Sequence, residues 1–233
     1  MKTIIYSLCL LFTASILFTS CRDREEDEPC INNEPYISTS LDGVVINGVR
    51  WATRNVDAPG TFAASPQSTG MFFQWNRPTG WAATGNVTGW DNSAPIGTYW
   101  TRANDPCPPG WRVPTKQEFI SLSEATTGFV FDSKEWNNYL IRYSSRHWVE
   151  NWRNTGVNGM ILGVAPNLIF LPAAGERNWR DGALRFAGVD VSYWSSTTES
   201  DIDRLLFVFS MGLGMVIGSE ASTGMPIRCV AEN

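Results

Sequence analysis

The chain has 233 residues, with 18 Lys and Arg against 23 Asp and Glu and a formal net charge of −5 at pH 7. An acidic chain whose basic residues are scattered is a poor partner for nucleic acid, because that binding rests on neutralising phosphates. Hydrophobic residues make up 43% of the sequence, which is ample for one packed core and, at this length, short for two.

Residues 1–20, MKTIIYSLCLLFTASILFTS, carry one positive charge at Lys2, an apolar stretch from Ile4 to Phe18, and small Thr19 and Ser20 directly before Cys21. That layout predicts a signal peptide, cut before a cysteine that takes lipid. The apolar stretch is shorter than the about twenty residues that a membrane span needs, and no later segment approaches that length. The expectation is a lipoprotein held by acyl chains on Cys21. The following RDREEDEP packs five carboxylates, Asp23, Glu25, Glu26, Asp27 and Glu28, against Arg22 and Arg24. Like charges so dense stay solvated, so residues 21–40 read as a lipidated acidic tether and 41–233 as one domain. An acidic run behind a lipidated cysteine also resembles the surface-export signal of Bacteroidetes lipoproteins. The resemblance implies the outer membrane, with the domain facing the cell exterior.

From Leu41 onward short apolar runs alternate with Gly, Pro, Asn and Ser, the pattern of strands separated by turns. VVINGVRW predicts a hairpin turning at Asn47 and Gly48. GMFFQWN, LIFLPAAGERNW and MPIRCV read as further strands, and LLFVFS with MVIGS as a second hairpin. Asp57 to Pro95 holds little periodicity and reads as a long irregular region, with its tryptophans favouring order. Two segments carry helix signals. Thr115 and Glu118 form a capping box, Phe119 and Leu122 share one face, and Gly128 ends the run. In DSKEWNNYLIRY, Asp132 and Glu135 repeat that logic, and Trp136, Tyr139, Leu140 and Tyr143 follow at helical steps. Many short strands with two short helices predict a single α+β domain.

Of five cysteines, Cys9 leaves with the signal peptide and Cys21 is acylated, so Cys30, Cys107 and Cys229 can supply one disulfide and one leftover thiol. No CxxC pair occurs and His147 is the only histidine, so no metal site is expected.

DPCPPGWRVPTKQEF from Asp105, LPAAGERNW from Leu171, YWSST from Tyr193 and PIRCV from Pro226 together resemble the Fibrobacter succinogenes major paralogous domain, and VINGVRWATRNV near the start fits the same family. These stations run in order from Val45 to Val230 and cover nearly the whole domain. The family is similar to C-type-lectin-like domains. The resemblance therefore implies paired N- and C-terminal strands, two helices flanking a small sheet, and a long irregular region displayed on one side. It also implies a Cys107–Cys229 bond, with Cys30 left in the tether. Closing a loop of about 120 residues would remove roughly 4–5 kcal/mol of unfolded-state freedom in the chain-entropy picture.

Eleven tryptophans have to be shared between core and surface. Trp51, Trp100, Trp111 and Trp194 lie in strand-like or family-motif segments and are expected in the core. Aromatics in irregular, polar surroundings are candidate ligand platforms, because a sugar ring packs its C–H face on an indole while amides and carboxylates take its hydroxyls. The candidates are Trp81, Trp90, Asp91 and Asn92; Trp148 and Trp152; and Arg177, Asn178, Trp179 and Asp181.

The EPN, QPD and WND triplets that serve calcium-dependent sugar binding in lectins of the resembled fold do not occur, and Asp201 with Asp203 reads as solvated. The formylglycine-generating oxidases that share the broad fold need a reactive cysteine pair, for which no residues remain. His147 beside Ser144 and Ser145 reads as a surface residue. The expectation is a non-catalytic, cofactor-free module at the cell surface that binds a glycan or a protein. The alternative is a structural or tip subunit of a surface fibre or outer-membrane complex, docking by strand addition.

Overall fold

The computed structural model describes residues 40–95, 97–127, 131–133, 138–142, 148–198, 204–210 and 213–232. The expected signal peptide, Cys21, Cys30 and all of the tether before Ser40 lie outside them, as do Trp136, His147, Asp201 and Asp203.

Strands β1 (Val44–Ile46) and β2 (Val49–Trp51) form the expected hairpin. Asn47 and Gly48 both take positive φ, 49° and 79°, as a two-residue turn matched to strand twist requires. After an irregular stretch β3 (Phe72–Gln74) pairs with β4 (Gly80–Trp81), and β5 (Trp111–Arg112) leads into α1 (Lys116–Thr127). The capping box closes reciprocally. Glu118 N–H donates to Thr115 Oγ1 at 3.2 Å, and Thr115 N–H donates to Glu118 Oε2 at 2.7 Å. Burial raises the Glu118 carboxyl's pKa, but hydrogen bonds from Arg112 and Thr115 outweigh it and hold the group below its ordinary value. Phe119 and Leu122 are fully buried on the inner face.

The segment read as a second helix is a strand hairpin. β6 (Phe131–Ser133) and β7 (Asn138–Arg142) pair with Asp132 opposite Tyr139. Their neighbours follow in chain order as β8 (Trp148–Val149), β9 (Gly159–Val164), β10 (Asn167–Pro172), β11 (Glu176–Arg177) and β12 (Leu184–Arg185). The last five are β13 (Val191–Thr198), β14 (Arg204–Ser210), β15 (Leu213–Ser219), β16 (Gly224–Met225) and β17 (Val230–Ala231). β7 gives its backbone to β15, Tyr139 opposite Val216 and Leu140 opposite Met215. The long β14–β15 hairpin would otherwise present an unpaired ladder on that side, and NYLIR has the aromatic and β-branched residues to fill it. Non-local pairing overrides a local spacing that fits a helix as well.

The fold is thus α+β, with mostly antiparallel sheets and one α-helix among the described residues. Its sheets run β1-β2-β17-β5, β10-β9-β8, β12-β11-β16-β3-β4 and β13-β14-β15-β7-β6. β17 lies between β2 and β5, with Val230 opposite both Trp51 and Arg112. Cys107 and Cys229 are joined by a disulfide across 122 residues.

One core cluster gathers Trp51, Phe119, Leu122, Ile169, Leu171, Tyr193 and Val230. A second surrounds the disulfide with Phe73, Trp75, Trp194, Met225 and Ile227. Trp51 and Trp194 are therefore core, as expected. Trp100 and Trp111 are only partly buried at the margin of the second cluster, edge-on to Trp75 and Phe62 at 5.3 and 5.4 Å. Trp75, from FFQW, is fully buried there beside Trp194. Arg228 of the PIRCV motif is also fully buried, donating to Asn55 Oδ1, the Ala52 carbonyl and the Phe170 carbonyl at 2.9, 3.2 and 3.0 Å. Burial pulls its pKa down to about 10, so it is still a cation at neutral pH and needs each of those acceptors.

Candidate functional site

The candidate residues from two distant segments meet on the sheet β12-β11-β16-β3-β4. Strand alternation sets their directions: along GERN, Arg177 points inward while Glu176 and Asn178 line a cleft on the other side. Arg177 is fully buried. Its Nε and Nη2 donate to the Ala82 carbonyl at 2.8 and 2.6 Å, Nη2 also reaches the Thr84 and Gly85 carbonyls, and Nη1 donates to the Gly182 carbonyl at 2.6 Å. The guanidinium lies 5.7 Å from the Phe72 ring centroid. Arg177 therefore fastens the irregular 82–85 segment to the sheet, and protein carbonyls occupy the donors that a ligand would use.

Trp90 comes from the same irregular region and is half-buried. A Cβ at Gly182 would stand 2.6 Å from its ring, and one at Gly224 would stand 2.8 Å away. Only glycine lets the indole lie against both backbones, and its Nε1–H donates to the Trp179 carbonyl at 2.9 Å. Trp81 leans on it with ring centroids 4.8 Å apart. The pair is part of the packing between loop and sheet, so the free platform expected at Trp90 is not what the side chain forms.

Asp91 is exposed but engaged. Its carboxylate pairs with Arg77 and accepts from Ser93 N–H at 2.9 Å. Hydrogen bonds from Ser93 first, then Arg77, lower its pKa to about 2. Its carbonyl accepts from Gln74 Nε2 at 2.6 Å. Asn92 beside it is exposed. Asp181 Oδ1 accepts from Ala183 N–H at 3.0 Å, within the turn that joins β11 to β12. Trp148 and Trp152 belong elsewhere. Trp148 packs against the first core cluster from β8, and Trp152 is buried and stacked on Phe170 at 4.4 Å.

Beside this framework lies a cleft of about 430 Å³, formed where β11 and β12 face the segment leading into β16. Glu176, Asn178, Trp179 and Arg185 line it from one side, with Glu220 and Thr223 from the other. Asn178 Oδ1 accepts from Arg180 N–H at 2.8 Å, which fixes the amide and turns its NH₂ end away from that bond. The Arg180 guanidinium stacks over the Trp179 ring at 4.6 Å. Burial raises the Glu176 carboxyl's pKa, with Asp190 adding to the shift and Arg185 opposing it. Ser219 Oγ donates to Thr223 Oγ1 at 3.3 Å. The cleft can therefore offer carboxylate acceptors, amide and guanidinium donors, hydroxyls and one indole.

Of the expected site residues, the structure brings Asn178 and Trp179 to this cleft. It places Trp81, Trp90, Arg177 and Asp181 in the framework beneath or beside it. Glu176, Arg185, Ser219, Glu220 and Thr223 escaped sequence reasoning. Glu176 was within reach, since it shares a strand face with Asn178. Compared with family models, curated proteins and solved structures, the chain matches none.

Proposed function

We propose that this chain is a lipid-anchored cell-surface protein of the major paralogous domain type, with a C-type-lectin-like fold, whose domain is a non-catalytic binding module for a glycan or protein. The 430 Å³ cleft carries the reading. It combines one indole with convergent polar groups on a framework fastened by Arg177 and Trp90. Among the described residues the cleft hydroxyls of Ser219 and Thr223 bond each other. The fold reading draws support from β17 lying between β2 and β5, and from the disulfide beside it. The anchor reading draws support from the layout around Cys21.

The test uses cells displaying the full chain, screened on a glycan array and on immobilised host-matrix proteins. Retention of a glycan or protein is expected, and Glu220→Trp, which fills the cleft from an exposed position, should abolish it. Retention that survives this block, or no retention at all, sinks the proposal. For the anchor, Cys21→Ala should stop fatty-acid incorporation; labelling that persists in the variant would rule it out.

A further inference from the structure

Among the described residues six other than glycine take a positive φ, and four of them are asparagines, which tolerate the left-handed region. The other two are Arg153, at φ 46°, and Phe186, at φ 56°. Both side chains are exposed, Phe186 by 52%, so burial of the side chain does not offset the strain in either case. Strain of this kind persists only where the surroundings enforce it, and it concentrates at sites of function.

The two residues sit on neighbouring loops that one asparagine ties together. Asn158 Oδ1 accepts from Asn151 N–H at 3.0 Å, and Asn158 Nδ2 donates to the Gly188 carbonyl at 3.0 Å. In the first loop Gly156 N–H donates to Asn151 Oδ1 at 2.6 Å, and the Arg153 guanidinium lies 4.8 Å over the ring of buried Trp152. In the second, Val189 N–H donates to the Phe186 carbonyl at 3.0 Å. That bond closes a four-residue turn and brings the Phe186 and Val189 Cα atoms within about 7 Å. Val189 is itself 47% exposed. Glu150 and Arg153 are exposed, and neither forms an ion pair among the described residues. The surface thus carries two apolar side chains on one loop, with an unpaired cation and an unpaired anion on the next. None of these four residues lines the cleft.

A fluid bilayer gains nothing from anchors held in a strained, fixed geometry, whereas a folded surface of fixed shape does. The patch is also complementary to itself. Turned about a two-fold axis, it sets the cation of one copy against the anion of the other and packs the apolar pairs together, the isologous arrangement of two-fold dimers. We propose that the surface formed by loops 150–153 and 186–189 docks a second copy of this chain. Phe186 and Val189 form its apolar centre, and Arg153 meets the partner's Glu150 on either side of the axis. The contact is separate from the cleft and holds whatever the cleft binds.

The experiment expresses the full chain in cells with the photo-crosslinking change Ala187→p-benzoylphenylalanine, at an exposed position inside the turn. Irradiation should give a covalent species made of two copies of the chain. Phe186→Gly, Arg153→Glu and Glu150→Arg should each lower its yield by about tenfold or more, since the first removes the apolar anchor and the others set like charges together. Phe186→Gly relieves backbone strain, so its effect does not come from a weakened fold. Co-expression of Arg153→Glu and Glu150→Arg copies under different tags should restore the species, now carrying one tag of each kind, because each copy offers the charge that the other needs. A parent chain that gives no such species, single variants that keep it, or a mixed pair that fails to form would overturn the proposal. Transfer of the probe only to lipid or to another protein would overturn it as well.

Discussion

The indole N–H of Trp90 donates to the carbonyl oxygen of Trp179 at 2.9 Å, linking residues 89 positions apart. The two tryptophans thereby divide their labour. Trp90 secures the backbone, and Trp179 turns its side chain to the cleft. Trp90→Ala should remove the bond and leave a hole between Gly182 and Gly224, costing about 3 kcal/mol, toward the lower end for aromatic truncations because the ring is half-exposed. Gly182→Ala should also destabilise, by more than about 1 kcal/mol, since its φ is positive and Trp90 occupies the space. Urea denaturation checks both; a Trp90→Ala curve that overlays the parent would refute the packing role.

Arg177→Lys keeps the charge but cannot reach the Ala82, Thr84, Gly85 and Gly182 carbonyls from one planar group. A loss of about 2–4 kcal/mol is expected as buried acceptors go unmet. Limited proteolysis should find new cleavage near residues 82–85, because this segment loses its fastening. Unchanged cleavage would show that the segment is held by other means.

Glu176 and Glu118 should depend on pH in opposite senses. Burial raises Glu176 above its unfolded pKa, so it destabilises the fold as pH climbs through that window and contributes nothing below it. Glu176→Gln should then raise the melting temperature at pH 7 and leave it unchanged at pH 3. Glu118, whose folded pKa is depressed, stabilises above its unfolded value, and that contribution fades as pH falls through the folded one. Glu118→Gln should therefore cost stability at pH 7 and progressively less in acid. Melting curves across pH 3–8 would expose a wrong sign in either case.

Reducing the Cys107–Cys229 bond releases a 122-residue constraint. The chain-entropy picture puts the loss at about 4–5 kcal/mol. Non-reducing peptide mapping should recover the two cysteines in one linked pair, and a map joining Cys30 to either would contradict the structure.

Where local chemistry decides, the sequence was a good guide. The Asn47–Gly48 turn and the Thr115–Glu118 capping box are each completed by residues within one short segment, and both formed as expected. The 132–143 stretch misled because its apolar spacing fits a helix, while its conformation depends on β15, more than seventy residues later. The site was legible only in outline. Asn178 and Trp179 were identified from aromatic and polar neighbours, but Glu220 and Thr223 reach the same cleft from another segment. Trp90 sits among residues that suggest a ligand surface, yet its fate is set by glycines at 182 and 224.

β17 lies in the interior of its sheet, between β2 and β5, so Trp51, opposite Val44 on one side, has no partner on the other until Val230 arrives. A chain emerging N-terminus first cannot complete this sheet part-way through synthesis. Its decisive contacts are among the most distant in sequence, a topology that folds slowly. Such a delay would suit a polypeptide that must stay threadable until its passage through an export channel is finished.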